Sequence, residues 1–298
     1  MIQHDVACAF PGQGIQKVGM ASMIWDSAAW RFFEEANAIL GYDLGKLCLE
    51  GPQDVLNDTA RAQVAIFVTC FALWELHRKR YQPKVFLGHS LGEITALGAA
   101  GAFSFAEGVQ LVAARGKLMA HCGAKGGMVA ILGLELGAVH ELCAEVAPLS
   151  YCQVANENSP VQTVVSGELD ALDHLTTLAK EKGAKKVLWL NVSGPFHSRL
   201  MEPAAQEFAK VVGKLELSPC HTPVLSNDGQ SLMVNPQEVR ARLVAQITSP
   251  VRFTGSVQRL VELGVREFVE ISPESVLVPL ARRSERRLQF TLVRDGGM

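Results

Sequence analysis

Short apolar runs alternate along this chain with longer segments in which apolar residues recur at helical spacing. Val6-Ala7-Cys8-Ala9-Phe10 is a continuous apolar run stopped by Pro11-Gly12-Gln13-Gly14, which predicts a short, fully buried strand followed by a turn. Helical spacing follows around Ser27 to Leu40 and from Arg61 to about Arg80. Val85-Phe86-Leu87 is a second strand-length run. It passes through Gly88-His89-Ser90 into a helical segment from Leu91 to about Ala100. Ser104 and Glu107 form the S-x-x-E pattern of a capping box, which opens another helix reaching about His121. Buried strands alternating with helices predict a parallel α/β sheet.

Past Ala124-Lys125-Gly126-Gly127 the texture changes. The pattern becomes strand (128–132), helix (136–146), strand (150–155), a turn at Asn158-Ser159-Pro160, strand (161–166), helix (169–182) and strand (186–192). That β-α-β-β-α-β order is the order of a ferredoxin-like unit. The expected fold is therefore an α/β parallel-sheet core built from residues 1–126 and 193–298, with a small ferredoxin-like domain, 127–192, inserted into it. Residues 198–215 are again helical, and the remainder returns to the alternation of the first part. No internal repeat or low-complexity segment interrupts the pattern.

Composition narrows the functional classes. Hydrophobic residues make up 48% of the 298 and charged ones 19%, ample for a core and unlike a disordered chain. Lys+Arg at 28 against Asp+Glu at 30 gives a net charge of -2, without the basic excess of a nucleic-acid binder. The start, Met1-Ile2-Gln3-His4-Asp5, lacks the features of a signal peptide. No stretch is read as approaching the roughly 20 apolar residues of a membrane span. Seven scattered cysteines without a C-x-x-C pair (Cys8, Cys48, Cys70, Cys122, Cys143, Cys152, Cys220) read as buried small hydrophobes in a reducing compartment, not as disulfides or a zinc site. A cytoplasmic protein is expected.

The candidate chemistry begins at Gly88-His89-Ser90-Leu91-Gly92. A G-x-S-x-G run between a strand and a helix holds its serine in a sharp turn with the hydroxyl exposed, and aims the next amide, that of Leu91, at a developing oxyanion. The competing reading, a glycine-rich turn with a surface serine, does not require the flanking strand and helix. An activated serine needs a base. His121, His140 and His174 fall on or at the ends of predicted helices and read as surface residues. His197 stands in the loop Gly194-Pro195-Phe196-His197-Ser198 between a strand and a helix, where catalytic side chains tend to be displayed. His221, in a polar loop after Pro219, is the weaker alternative.

Arg115 breaks a pattern. Its neighbours at helical spacing are Leu111, Val112, Leu118 and Met119, so the guanidinium projects from an apolar stripe. A buried cation needs a partner. Two readings stay open: a structural salt bridge to a core carboxylate, or a grip on a carboxylate of the substrate.

With these residues in place, the chain resembles the malonyl-CoA:acyl carrier protein transacylases and the acyltransferase domains of polyketide synthases. The landmarks are Phe10-Pro11-Gly12-Gln13-Gly14, Gly88-His89-Ser90-Leu91-Gly92-Glu93, Arg115-Gly116-Lys117, Asn158-Ser159-Pro160, Gly194-Pro195-Phe196-His197-Ser198, and Gln246 ahead of Ser249-Pro250-Val251. The resemblance covers almost the whole chain and implies an α/β-hydrolase-like core with a ferredoxin-like insert. It implies that Ser90 is acylated, that His197 is its base, and that a backbone carbonyl near Gln246 orients the imidazole. It further implies an oxyanion hole from the amides of Leu91 and Gln13, a substrate site that includes Gln246, a malonyl carboxylate held there by Arg115, and a Phe196 ring that crowds an α-methyl branch. The implied reaction is ping-pong transfer from malonyl-CoA, a coenzyme A thioester, to the phosphopantetheine thiol of an acidic acyl carrier protein. No metal or tightly bound cofactor is implied. Lys185, Lys186, Arg282 and Arg283 match basic residues that dock the carrier; their other reading is ordinary solvated surface.

Val161 replaces the glycine usual after Asn-Ser-Pro, Ile94 follows Gly92-Glu93 where an aromatic residue is common, and the chain stops soon after Arg294-Asp295. These departures suggest a branch away from the housekeeping enzyme of fatty-acid synthesis, such as a free-standing acyltransferase of a polyketide assembly line. The rival activities are an editing acyl hydrolase, a carrier-to-carrier acyltransferase and a non-catalytic docking subunit. Arg115 speaks against the first, since unloading neutral acyl chains gives no reason to keep a buried cation. The retained set of Ser90, His197, Gln13 and Arg115 speaks against the last.

Overall fold

A computed structural model describes residues 5–121 and 123–293. The readings made for Met1–His4, Cys122 and Arg294-Asp295 fall outside these described residues. The strands are β1 (Val6–Phe10), β2 (Val85–Gly88), β3 (Gly127–Leu132), β4 (Cys152–Ser159), β5 (Gln162–Gly167), β6 (Lys186–Trp189), β7 (Val224–Leu225), β8 (Leu232–Met233), β9 (Glu267–Ile271) and β10 (Gln289–Val293). They form two sheets. A six-stranded one has the order β10-β9-β1-β2-β7-β8, and a four-stranded one the order β4-β5-β3-β6.

In the larger sheet β10, β9, β1, β2 and β7 run parallel, and only the two-residue β8 pairs antiparallel with its neighbour. All five residues of β1 are buried, as a continuous apolar run between two helical layers requires. Its side chains alternate: Cys8 and Phe10 join one core cluster, with Phe67 and Phe86, while Ala7 and Ala9 join another, with Phe253 and Phe268. The smaller sheet is antiparallel throughout. Val129 and Ile131 of β3 face the helices Leu136–Val146 and Leu169–Glu181; Met128 and Ala130 face the main core. This is the parallel core with a small ferredoxin-like sheet that the pattern implied.

Details differ in instructive ways. The capping box holds: Ser104 N donates to Glu107 Oε2 at 2.8 Å, and Glu107 N donates to Ser104 Oγ at 3.3 Å. Short helices at Leu44–Glu50 and Gln53–Asn57 lack the length that makes periodicity readable. β4 runs on to Ser159, beyond the expected 155, with register shifts on either side of Asn156 and Glu157. The turn falls on the two residues before Gln162. One expectation is corrected. Residues 59–80 are long and apolar enough, by length and composition, to cross a membrane. Within the fold 78% of that window is buried, which makes it a core helix, apolar on all sides because other elements surround it.

Candidate active site

β2 ends at Gly88 and the helix Leu91–Ala99 begins one residue after Ser90. The intervening turn puts Ser90 at φ 53°, ψ -109°, a conformation costly for any residue with a side chain. The glycines on either side are compulsory. A Cβ on Gly88 would lie 2.0 Å from Gly92 C, and one on Gly92 would lie 1.9 Å from Phe10 O. The serine amide donates to Asn227 Oδ1 at 2.8 Å, which pins the turn to a loop far away in sequence.

Ser90 Oγ lies 2.7 Å from His197 Nε2 and 3.1 Å from Arg115 Nη2. Arginine only donates, so the hydroxyl accepts from Arg115 and donates to His197. The imidazole tautomer follows from its other side: Nδ1 faces the carbonyls of Gln246, at 2.8 Å, and Ser249, at 3.1 Å. Carbonyls only accept, so Nδ1 carries the proton and Nε2 presents a lone pair to the serine. His197 is itself at φ 57°. Burial and the nearby Arg115 charge push its pKa down to about 3. His121, His140, His174 and His221 are exposed, so of the histidines weighed only His197 meets Ser90.

Arg115 is 1% exposed. Its Nη1 donates to Gln63 Oε1 at 2.7 Å, its Nη2 to Gln246 Oε1 at 2.8 Å, and its Nε has no hydrogen-bond partner. Among the described residues it forms no salt bridge, so the core carboxylate that one of the two readings called for is not in direct contact with it. The nearest negative charge works through an intermediary: Gln246 Nε2 donates to Glu93 Oε1 at 2.7 Å. Burial lowers the Arg115 pKa to about 10, so it stays charged at neutral pH. Glu93, fully buried, is pushed up by burial and pulled back by its donors, the Asn227 backbone and side chain and Gln246.

Ser90, Arg115, His197, Gln13, Leu91 and Phe196 all line one cavity of about 230 Å³. Leu91 is the first residue of its helix, so its amide has no partner within the helix. Gln13 donates through its side chain to Thr59 Oγ1 at 3.3 Å. Met119, Met128 and Leu190 supply apolar wall. Lys185, Lys186, Arg282 and Arg283 do not line this cavity. The two lysines are exposed at the start of the edge strand β6, and the arginines are exposed on the helix Leu277–Ser284. With Arg286, they border a separate groove floored by Leu288 and Phe290.

Sequence reasoning missed Gln63, Glu93 and Asn227; it placed Gln246 in the substrate site and beside the orienting carbonyl, but not its side-chain bonds to Arg115 and Glu93. It used Asn158 as a landmark without a role; Asn158 Oδ1 accepts from His89 Nε2 at 2.8 Å. Gln63 and Glu93 did carry a signal, since each is a polar residue among apolar neighbours on a helix. Among the described residues no group of three or more His, Cys, Asp or Glu side chains is placed to hold a metal ion.

A serine, its histidine and a buried arginine in one cavity suit covalent acyl transfer, and comparison with known proteins agrees. The family model described as "Acyl transferase domain" matches residues 8–290. The chain belongs to this acyltransferase family. Over 296 residues it is 38% identical to the "Malonyl CoA-acyl carrier protein transacylase" of Bacillus subtilis (strain 168), spanning 97% of this chain and 93% of that relative. Among solved acyltransferase structures, the acyl carrier protein S-malonyltransferase of Vibrio cholerae superposes with a TM-score of 0.94 at 38% identity, covering 98% of this chain and 97% of the other. A malonyl-transacylase solved in complex with its type II polyketide synthase acyl-carrier protein gives 0.94 at 36% identity, covering 97% and 96%.

Proposed function

We infer that this acyltransferase moves malonyl groups from coenzyme A to an acyl carrier protein, in fatty-acid or polyketide synthesis, through an ester on Ser90. One observation carries the reading beyond acyl transfer in general. Arg115 is a buried guanidinium 3.1 Å from the nucleophile, with an unused donor and no carboxylate of its own. A malonyl group brings the missing carboxylate.

In the first half-reaction Ser90 Oγ attacks the thioester carbonyl as its proton passes to His197 Nε2. The tetrahedral intermediate collapses, the carbon–sulfur bond breaks, and His197 protonates the departing coenzyme A thiolate. In the second, a carrier thiol gives its proton to His197 and attacks the ester; the intermediate collapses, the carbon–oxygen bond to Ser90 breaks, and His197 returns the proton to Ser90 Oγ. The amides of Leu91 and Gln13 receive the oxyanion in both halves. The acyl carbon stays at the carboxylic-acid oxidation level throughout, so the reaction balances without a redox cofactor. Phe196, 6% exposed beside His197, crowds an α-methyl group, a discrimination of about 1–3 kcal/mol for one carbon.

The carrier partner is acidic and phosphopantetheinylated in this reading. Lys185, Lys186, Arg282 and Arg283 are exposed and, among the described residues, free of salt bridges, which suits a steering role toward such a partner. The described cysteines are free and buried, which supports a reducing, cytoplasmic setting.

Intact-mass spectrometry after incubation with malonyl-CoA tests the reading. A malonyl adduct on Ser90 that persists until a phosphopantetheinylated carrier is added, then leaves with it, is the expected result. Rapid loss of the adduct to water would make the protein a hydrolase, and no adduct with any acyl-CoA would exclude the enzyme.

A further inference from the structure

His197 is held from two sides. Its ring hydrogen-bonds to the carbonyls of Gln246 and Ser249, both from the core. Its backbone is held by the small sheet: Gln153 Nε2, on β4, donates to His197 O at 2.9 Å, and Ser166 Oγ, on β5, donates to Phe196 O at 2.5 Å. A left-handed histidine persists only where its surroundings over-determine it, and these donors are among the contacts that do so here. Gln153 is oriented in turn by the Tyr151 hydroxyl, which bonds its Oε1. The tyrosine hydroxyl also accepts from Arg199 N at 3.3 Å, and the Arg199 guanidinium stacks 3.8 Å over its ring. β4 is moored to the core as well. Val251 N donates to Ala155 O and Glu157 N to Val251 O, each at 2.8 Å, two residues from the Ser249 carbonyl that holds the ring.

We propose that Gln153, oriented by Tyr151, is a positioning residue for acyl transfer: from the small domain it fixes the His197 backbone so that Nε2 stays within hydrogen-bonding distance of Ser90 Oγ. The proposal rests on His197 being the base. It gives the inserted sheet a part in the chemistry that no cavity-lining residue reveals, because Gln153 acts through the carbonyl of His197 and does not line the cavity.

The test compares wild type, Gln153→Leu, Tyr151→Phe, the double variant and His197→Ala as full chains. The measurements are steady-state malonyl transfer across pH and a thermal melt. Gln153→Leu is expected to lower kcat by about 10- to 100-fold, the cost of a base displaced by up to an ångström, with KM for malonyl-CoA nearly unchanged. The acid limb of its pH profile moves upward, because a loosened imidazole meets water and regains basicity. Tyr151→Phe gives a smaller loss alone and none on top of Gln153→Leu, the non-additivity of residues acting in series. A wild-type kcat and acid limb in folded Gln153→Leu, or a loss confined to KM, overturns the proposal. If Gln153→Leu fails to melt cooperatively, Tyr151→Phe decides: wild-type kcat and acid limb there overturn it equally. Retained transfer in His197→Ala is a different failure, because it removes the base assignment on which the proposal stands.

Discussion

Arg115→Ala separates a substrate-binding cation from a structural one. The guanidinium hydrogen-bonds to Gln63, Gln246 and Ser90 at 2.7, 2.8 and 3.1 Å. In the proposed function a malonyl carboxylate pairs with it out of water, and removing one partner of such a pair costs about 3–5 kcal/mol. At about 1.4 kcal/mol per tenfold, that is a drop in kcat/KM for malonyl-CoA of roughly 150- to 5,000-fold. Acetyl-CoA has no carboxylate to lose. The bonds to Gln63 and Gln246 are lost whichever acyl group is used; for acetyl-CoA the variant forfeits, at the reacting groups, only the hydrogen bond to Ser90 Oγ, about 1 kcal/mol or under tenfold. Some of that returns, because Arg115 is one of the charges that suppress His197. The assay is acylation of Ser90 under single-turnover conditions, with malonyl- and acetyl-CoA in parallel and a thermal melt to confirm folding. Equal fractional losses for the two acyl groups would refute the reasoning and return Arg115 to a structural role.

Three further outcomes are expected. Because burial and Arg115 hold His197 near 3, against an ordinary 6.5, the acid limb of kcat/KM should lie well below 6.5. Between those values the unfolded chain binds a proton that the folded chain refuses, so stability rises with pH there. The contribution is fully present above about 6.5 and lost as pH falls toward 3; urea midpoints for wild type and His197→Asn should converge over that window. Glu93→Gln puts an amide donor against the donors of Asn227 and Gln246, leaving one buried group unpaired at about 1–3 kcal/mol; calorimetry should register a melting point several degrees lower. Gly92→Ala drives a methyl into the Phe10 carbonyl, 1.9 Å from its oxygen, and should yield no folded, acylatable protein by circular dichroism and mass spectrometry; normal loading of Ser90 would contradict the turn geometry.

The Ser90 turn was legible because its determinants are local: a strand, two glycines and a helix start within a few residues. Arg115 was legible for a related reason, as one charge out of phase with the apolar stripe of its own helix. Neither criterion reaches a contact made across the chain. The Ser90 amide finds Asn227 137 positions away, and Glu93 finds Gln246 153 positions away, and no local period encodes either pairing. The apolar helix Thr59–His77 fails the other way. Its composition is plain in the sequence, but whether lipid or protein surrounds it is a tertiary fact. The test that singled out Arg115 applies also to Gln63, whose neighbours at helical spacing include Ile66 and Phe67, and to Glu93, whose neighbours include Ala96 and Leu97. Applied evenly, it would have found half of the buried network.

In the proposed function, that network is what leaves Arg115 available to a substrate. Its members satisfy one another in a chain: Gln63 and Gln246 accept from Arg115, Gln246 donates to Glu93, and Glu93 accepts from Asn227, which holds Ser90. Every link but Arg115 is neutral or a carboxylate already occupied by donors. Glu93 therefore offsets the positive charge only through a glutamine, and cannot offer the guanidinium a direct oxygen. A direct Arg115–Glu93 pair would be the cheaper way to bury both charges. Interposing Gln246 keeps the cation in place, oriented and short of a partner, with the nucleophile 3.1 Å away. An anionic acyl group completes this arrangement, whereas water or a neutral acyl chain leaves it incomplete. The same residue that separates the two charges also gives His197 its carbonyl, so in the proposed function selection of the acyl group and alignment of the base would depend on one side chain and its own backbone.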